Sequence, residues 1–278
     1  MEQAFFLVTS LAGLKKLTFQ QKIKALLEEH VQITALLAIV QFDEYEIARQ
    51  TLQAMVKPEQ AAQFEIRTMA ELVANTSGVA LRAEDQFNDD FETLPSKQFA
   101  TQTIANGTIH RYIDAGEIVA ETVTDATQTP LMKTRLVDNQ PVQSVVYEDQ
   151  RPAGMMTYQD GVIEQAMLLN AQGELVYRFI RHQHPVTYAY DMGRTSKLVF
   201  TNLLSETDDQ KHVVYQAAED RADYEVIDHV GYHRFSDAYE FYAQLLQTTV
   251  PEGAEIFIDL NDNPKLVEHL PQQLIFNY

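Results

Sequence analysis

The chain has no cysteine among its 278 residues. That excludes a disulfide framework, a thiolate nucleophile and any Cys-based zinc site. Positive charge is scarce too: 21 Lys and Arg stand against 40 Asp and Glu, a formal net charge of -19. A polyanion such as DNA, RNA or an acidic membrane surface meets repulsion that is screened only beyond about 8 Å at physiological salt. Nucleic acid is therefore excluded as a general partner, and a phosphate-bearing ligand would need a local basic patch. No apolar run approaches the roughly 20 residues that span a bilayer. The opening MEQAFFLVTSLAGLKK makes a poor signal peptide, because Glu2 precedes its apolar run and the lysines follow it. The expectation is a cytoplasmic protein. The sequence also lacks a P-loop, a nucleophile-elbow serine, a zincin motif and a G-x-G-x-x-G turn, so no cofactor and no resident metal are expected.

What is present is organised in three stretches. From residue 1 to about 99 the pattern is α/β. AFFLVTS (4–10) and ITALLAIVQF (33–42) read as buried parallel strands. Between them FQQKIKALLEEHV places Ile23, Leu26 and Leu27 on one helical face, with Thr18 as the expected cap. Asp43 is the expected cap of a second helix through Ile47, Leu52 and Met55, and residues 63–73 read as a further helix. RAEDQFNDDFETLPSKQ (82–98) is acidic and aperiodic, and reads as a connection.

From 100 to 228 the period changes to two. Nine segments from TIHRYID (108–114) to KHVVYQ (211–216), with KLVFTN (197–202) among them, alternate or run apolar. Asp160-Gly161 between two of them is the strongest hairpin signal in the chain. From 229 to 278 helical spacing returns in SDAYEFYAQLLQTTV, with Ser236 as expected cap, followed by strand, helix and strand in AEIFIDLNDNPKLVEHLPQQLIFNY. The fold class read from this layout is α+β: an incomplete Rossmann-like α/β lobe (1–99 and 229–278) interrupted by a large antiparallel β-meander domain (100–228).

With FFLVTS…KIKALLEEHVQITALLAIVQFD, NAQGELVYRF and SDAYEFYAQLL…AEIFIDL in place, the chain resembles the amino-terminal half of bacterial GT-B retaining glycosyltransferases that modify wall teichoic acid or serine-rich adhesins. The resemblance implies a Rossmann-like lobe interrupted by a β-sheet domain. It also implies that the second lobe, which holds the nucleotide sugar and carries two glutamates separated by seven residues, lies outside this sequence. Two departures accompany it. GLKKLTFQQ stands where the family has a Ser-Gly-Ile-Glu-like helix opening, and Asp259-Leu260 stands where it commonly has Asp-Arg. Glu84 and Glu92 have the seven-residue separation but sit in the acidic connection, where it reads as accidental.

Two groups of residues are candidates for binding. Lys15, Lys16, Lys22 and Lys24 follow the first strand, where open α/β sheets place ligands, and could hold a phosphate-bearing acceptor. The alternative is a solvated helix face. Tyr147, Tyr158, Tyr177, Tyr188 and Tyr190, with Phe179, could stack on sugar or meet a partner. The alternative is cross-strand packing, worth about 0.2–1 kcal/mol per pair. His182 with His184, and His229 with His233, are spaced for a shared face, with ordinary surface histidine as the alternative. No catalytic residue is assigned. The expected function is a non-catalytic or incomplete glycosyltransferase homologue. It would bind an acceptor glycopolymer, or dock a catalytic glycosyltransferase subunit or a second copy of itself. A split glycosyltransferase, or a scaffold without ligand, are the alternatives.

Overall fold

The computed structural model describes residues 3–101, 104–182, 187–191, 212–216, 223–270 and 275–278, with the backbone alone for 187–191 and 212–216. The chain opens on β1 (Gln3–Val8), whose five apolar residues are all buried. A one-turn helix α1 (Leu11–Leu14) and the longer α2 (Leu17–Glu28) lead to β2 (Gln32–Leu37). α3 (Tyr45–Gln53) leads through a 3-10 turn to β3 (Phe64–Thr68), and α4 (Met69–Val73) follows directly. The antiparallel strands are β4 (Ser96–Ala100), β5 (Thr108–Asp114), β6 (Glu117–Thr124), β7 (Pro130–Val137), β8 (Gln140–Glu148), β9 (Arg151–Gln159), β10 (Val162–Leu169) and β11 (Leu175–Arg181). β12 (Thr187–Asp191) and β13 (His212–Gln216) pair antiparallel within a separate unit, residues 181–224. The chain ends with β14 (Tyr224–Asp228), β15 (Arg234–Phe235), α5 (Ala238–Thr249), β16 (Glu255–Ile258), α6 (Asn263–Leu266) and β17 (Ile275–Asn277).

Five strands form one parallel sheet in the order β17-β16-β1-β2-β3. The continuous apolar runs of β1, β2 and β16 follow from burial on both faces, as parallel sheets demand. Phe6 stacks on Phe257 of β16 at 4.7 Å and meets Phe19 of α2 edge-on at 5.4 Å. Ile23, Leu26 and Leu27 complete the buried stripe of α2.

Ten strands form the second sheet, in the order β15-β14-β11-β10-β9-β8-β7-β6-β5-β4. It begins at Ser96, inside the stretch read as a connection. Four of its hairpins turn on two residues at positive φ: Ala115-Gly116, Asp138-Asn139, Asp149-Gln150 and Asp160-Gly161. Two-residue turns of this kind match the right-handed twist of the strands they join. The α+β class and the interrupted α/β layer are as the sequence implied.

Both faces of the meander are covered at its centre. On one face Val145, Met155, Met167, Leu169 and Leu175 pack under Val79 and Leu81, which precede the connection, and Phe87 within it. Arg178 closes that side with a two-pronged ion pair to the buried Asp85 at 2.7 and 3.2 Å. On the other face Phe42, which opens the turn into α3, meets Phe179 edge-on, and Phe241 of α5 packs on Tyr177 and Phe179. Gly154 of β9 lets the Phe42 ring approach, since a Cβ there would lie 2.4 Å from its Cδ2.

Several local expectations are corrected. Residues 63–73 are a strand and a helix rather than one helix: Phe64, Ile66 and Thr68 alternate along edge strand β3, and a Thr68–Glu71 capping box then starts α4. α2 begins at Leu17, so Thr18 lies inside it and caps nothing. Asp43 sits in a 3-10 turn before α3 and is not its cap. Asp237 caps α5 by accepting from the amides of Tyr239 and Glu240, while Ser236 donates to Glu240 instead. KLVFTN lies outside the described residues.

Candidate functional site at the carboxyl ends of the parallel strands

Strands β2 and β3 lie on one side of β1, and β16 and β17 on the other. The chain therefore reverses its winding between β1 and β16. In open α/β sheets ligands bind in the crevice outside the carboxyl ends of the strands at this switch point. Thr9 and Ser10 leave β1 there, Asp259 leaves β16, and Asp262 stands in the turn that enters α6.

These groups are engaged with one another. Lys16 reaches across from the start of α2 to Asp259 at 2.5 Å, and the Asp259 side chain is only 1% exposed. The Asn261 amide donates to the same carboxylate oxygen. Asp262, equally buried, accepts from the Thr9 hydroxyl at 2.5 Å and from the Tyr239 hydroxyl of α5 at 3.0 Å. Lys265 lies 5.0 Å over the Tyr239 ring. Tyr278 donates to the Leu7 carbonyl at 2.8 Å. Gly13 faces this cluster closely: a Cβ on it would stand 3.2 Å from Asp259 Oδ2 and 3.8 Å from the Tyr278 hydroxyl.

Glu44, in the turn after β2, sits beside this edge. Burial pushes its carboxyl pKa up to about 7 and Asp43 adds to the rise, while the Leu11 amide and Lys15 oppose it. A carboxyl so placed changes charge near neutral pH.

The four lysines have separate fates. Lys16 alone is tied into the crevice through Asp259, and Lys22 lies 4.9 Å over the Phe257 ring. Lys15 and Lys24 are exposed. Among the tyrosines, Tyr147 is half-buried against the meander core beneath Lys133, and Tyr158 is half-buried with its hydroxyl 3.8 Å from Met156 sulfur. Tyr177 packs on Phe241 at 4.8 Å, so its ring serves the join between sheet and helix. The side chains of Tyr188 and Tyr190, and all of His184, lie outside the described residues. His229 and His233 flank a turn held by Asp228, which accepts from the Val230 and Gly231 amides. Among the described residues no group of three or more His, Asp or Glu is placed to hold a metal. Glu84 pairs with Arg82 on the surface, and Glu92 with Lys133 at 2.6 Å. Burial pulls the Lys133 pKa down, but Glu92 and Asp89 outweigh it and hold it above its ordinary value. The seven-residue spacing of the glutamates thus joins two structural ion pairs.

The sequence did not single out Thr9, Asp262 or Tyr239. The one legible signal was an apolar strand ending in aspartate, IFIDLND, at the close of a parallel unit.

No family model matches the sequence, and no curated protein does. The fold has counterparts among solved structures. All of this chain aligns with 49% of TarM at a TM-score of 0.51 and 8% identity. All of it likewise aligns with 50% of a chain of the glycosylation-associated protein (Gap123) complex from Streptococcus agalactiae, at a TM-score of 0.51 and 12% identity. The chain spans about half the length of these structures. At such identities the likeness is one of fold: a Rossmann-like sheet interrupted by a large antiparallel sheet.

Proposed function

We propose that this chain acts in glycosylation of a cell-wall polymer or adhesin as an acceptor-binding or partner subunit that docks a catalytic glycosyltransferase. The observation that carries this reading is the likeness of the whole chain to half of a glycosylation-associated complex and to half of TarM.

The crevice adds a chemical reason. Transfer from a nucleotide sugar needs charge aimed at the departing diphosphate. At the switch point Lys16 is already paired with Asp259, Lys265 lies over the Tyr239 ring, and Asp262 is engaged by Thr9 and Tyr239. Groups spent on one another favour a binding role over turnover.

The meander supplies a docking edge. β4 ends the ten-stranded sheet and is exposed along its whole length. Phe99 on it is 44% exposed, with Arg111 5.1 Å over its ring. An uncovered edge strand offers backbone hydrogen bonds to an incoming strand.

Affinity capture of the tagged chain from its own cells, followed by mass spectrometry and glycan analysis, tests the reading. Recovery of a glycosyltransferase or a glycopolymer is the expected result. Recovery of neither overturns it, and sugar transfer by a reconstituted pair of chains would make this one half of a split enzyme.

A further inference from the structure

A cavity of about 360 Å³ opens between α4 and the last turn of α5, beside Tyr177 of β11. Pockets that take small molecules begin at about 300 Å³. It is separate from the crevice at the carboxyl ends of the strands. Tyr239, which reaches Asp262 there, stands nine positions before Thr248 of the cavity wall, about 14 Å along the helix.

The lining is unlike the rest of this acidic chain. No carboxylate belongs to it among the described residues, and its polar groups include the Arg67 guanidinium and the hydroxyls of Thr76, Tyr177 and Thr249, beside an apolar strip of Leu72 and Leu245. Among the described residues these three hydroxyls have no hydrogen-bond partner, and Arg67 makes only a loose pair, its Nε 3.7 Å from Glu65. A hydroxyl both donates and accepts, and a guanidinium only donates.

Charge decides which ligand suits such a wall. An anion is the usual partner of a guanidinium, but Glu65 already offsets Arg67. α5 ends at the cavity with no basic residue in its last turn, and a helix C-terminus carries partial negative charge. Asp228 also acts on the Tyr177 hydroxyl, adding to the rise that burial causes in its pKa. Negative potential thus reaches the cavity from two sides, which favours an uncharged ligand rich in hydroxyls.

We propose that this cavity takes an uncharged pyranose, as one residue of a glycan. Its hydroxyls exchange hydrogen bonds with Thr76, Tyr177 and Thr249, Arg67 donates to its oxygens, and its C–H face lies on Leu72 and Leu245. The site is distinct from the β4 edge and stands whether or not a glycosyltransferase docks there.

The test titrates the purified full chain with the methyl pyranosides of glucose, galactose, mannose and N-acetylglucosamine, followed by methyl NMR, with glycerol and inorganic phosphate as comparators. At least one pyranoside is expected to shift the methyl signals of Leu72, Leu245 and Thr249 saturably, and to bind more tightly than glycerol or phosphate. Arg67→Met should weaken that pyranoside about tenfold, the loss of a hydrogen bond from a charged donor, and Tyr177→Phe and Thr249→Val a few-fold each. Failure of every pyranoside to shift these signals, phosphate binding as tightly as the best of them, or unchanged binding in both Arg67→Met and Tyr177→Phe would each overturn the proposal. The comparison of pyranoside with phosphate on the unaltered chain needs no variant to fold. Pyranoside binding without capture of a glycosyltransferase from cells would support this site and count against the docking reading alone.

Discussion

Replacing Gly154 by alanine should loosen the join between the meander and the α/β layer, and the size of the effect follows from the contacts. The new Cβ would stand 2.4 Å from Phe42 Cδ2, 2.7 Å from Cε2 and 3.1 Å from Cγ. The ring must retreat by about 1 Å to restore ordinary van der Waals distance, in a region packed as densely as a crystal. It has nowhere easy to go: Phe42 is 1% exposed, with Tyr45 edge-on at 5.4 Å and Phe179 at 6.3 Å. Overpacking of this kind costs about 1–3 kcal/mol, and each kcal/mol lowers Tm by roughly 2–4 °C in a chain of this size. Phe42→Leu alone should also destabilise, by about 1–3 kcal/mol. The double variant should recover about 1–2 kcal/mol relative to the sum of the single changes, because the smaller side chain vacates the space that the added methyl needs. Guanidinium unfolding followed by far-UV circular dichroism measures all four proteins. A Gly154→Ala variant within about 0.5 kcal/mol of the parent, or a strictly additive double variant, would refute the packing described for this join.

Three further outcomes are expected. Glu44 is protonated more readily in the folded chain than in the unfolded one, so the stability it contributes is complete below about pH 4.5 and lost as pH rises through about 7; Glu44→Gln should match the parent at pH 5 and exceed it at pH 8 in thermal melts. Arg178→Leu strands the buried Asp85 carboxylate and should cost about 3–5 kcal/mol by denaturant unfolding, whereas a change under about 1 kcal/mol would show that the connection is not fastened there. Asp237→Ala removes two amide partners at the start of α5 and should cost about 1 kcal/mol, with Asp237→Ser recovering most of it.

The parallel strands were legible where burial on both faces forced unbroken apolar runs, as in β1 and β2. The hairpins were legible where period two met turn residues, as at Asp160-Gly161. β3 was missed because an edge strand needs only one well-buried side: Phe64 and Ile66 are half-buried, and Glu65 is exposed. The Thr68–Glu71 capping box was the signal that a strand gives way to a helix there. β4 was hidden by its full exposure, which leaves SKQFA without alternation to read. The crevice was the least legible part. Its hydrogen bonds join residues 243 and 253 positions apart, Lys16 to Asp259 and Thr9 to Asp262, and no local pattern encodes such pairs. The basic run 15–24 was visible, but its charges are divided by the helix they stand on and by what each meets: a carboxylate for Lys16, an aromatic face for Lys22.

The most direct trial of a binding subunit is titration calorimetry on the purified 278-residue chain, first with a nucleotide sugar and then with the glycosyltransferase or glycopolymer captured from cells. The account predicts no heat from the nucleotide sugar and saturable binding of the captured partner. Tight binding of the nucleotide sugar by this chain alone would contradict it.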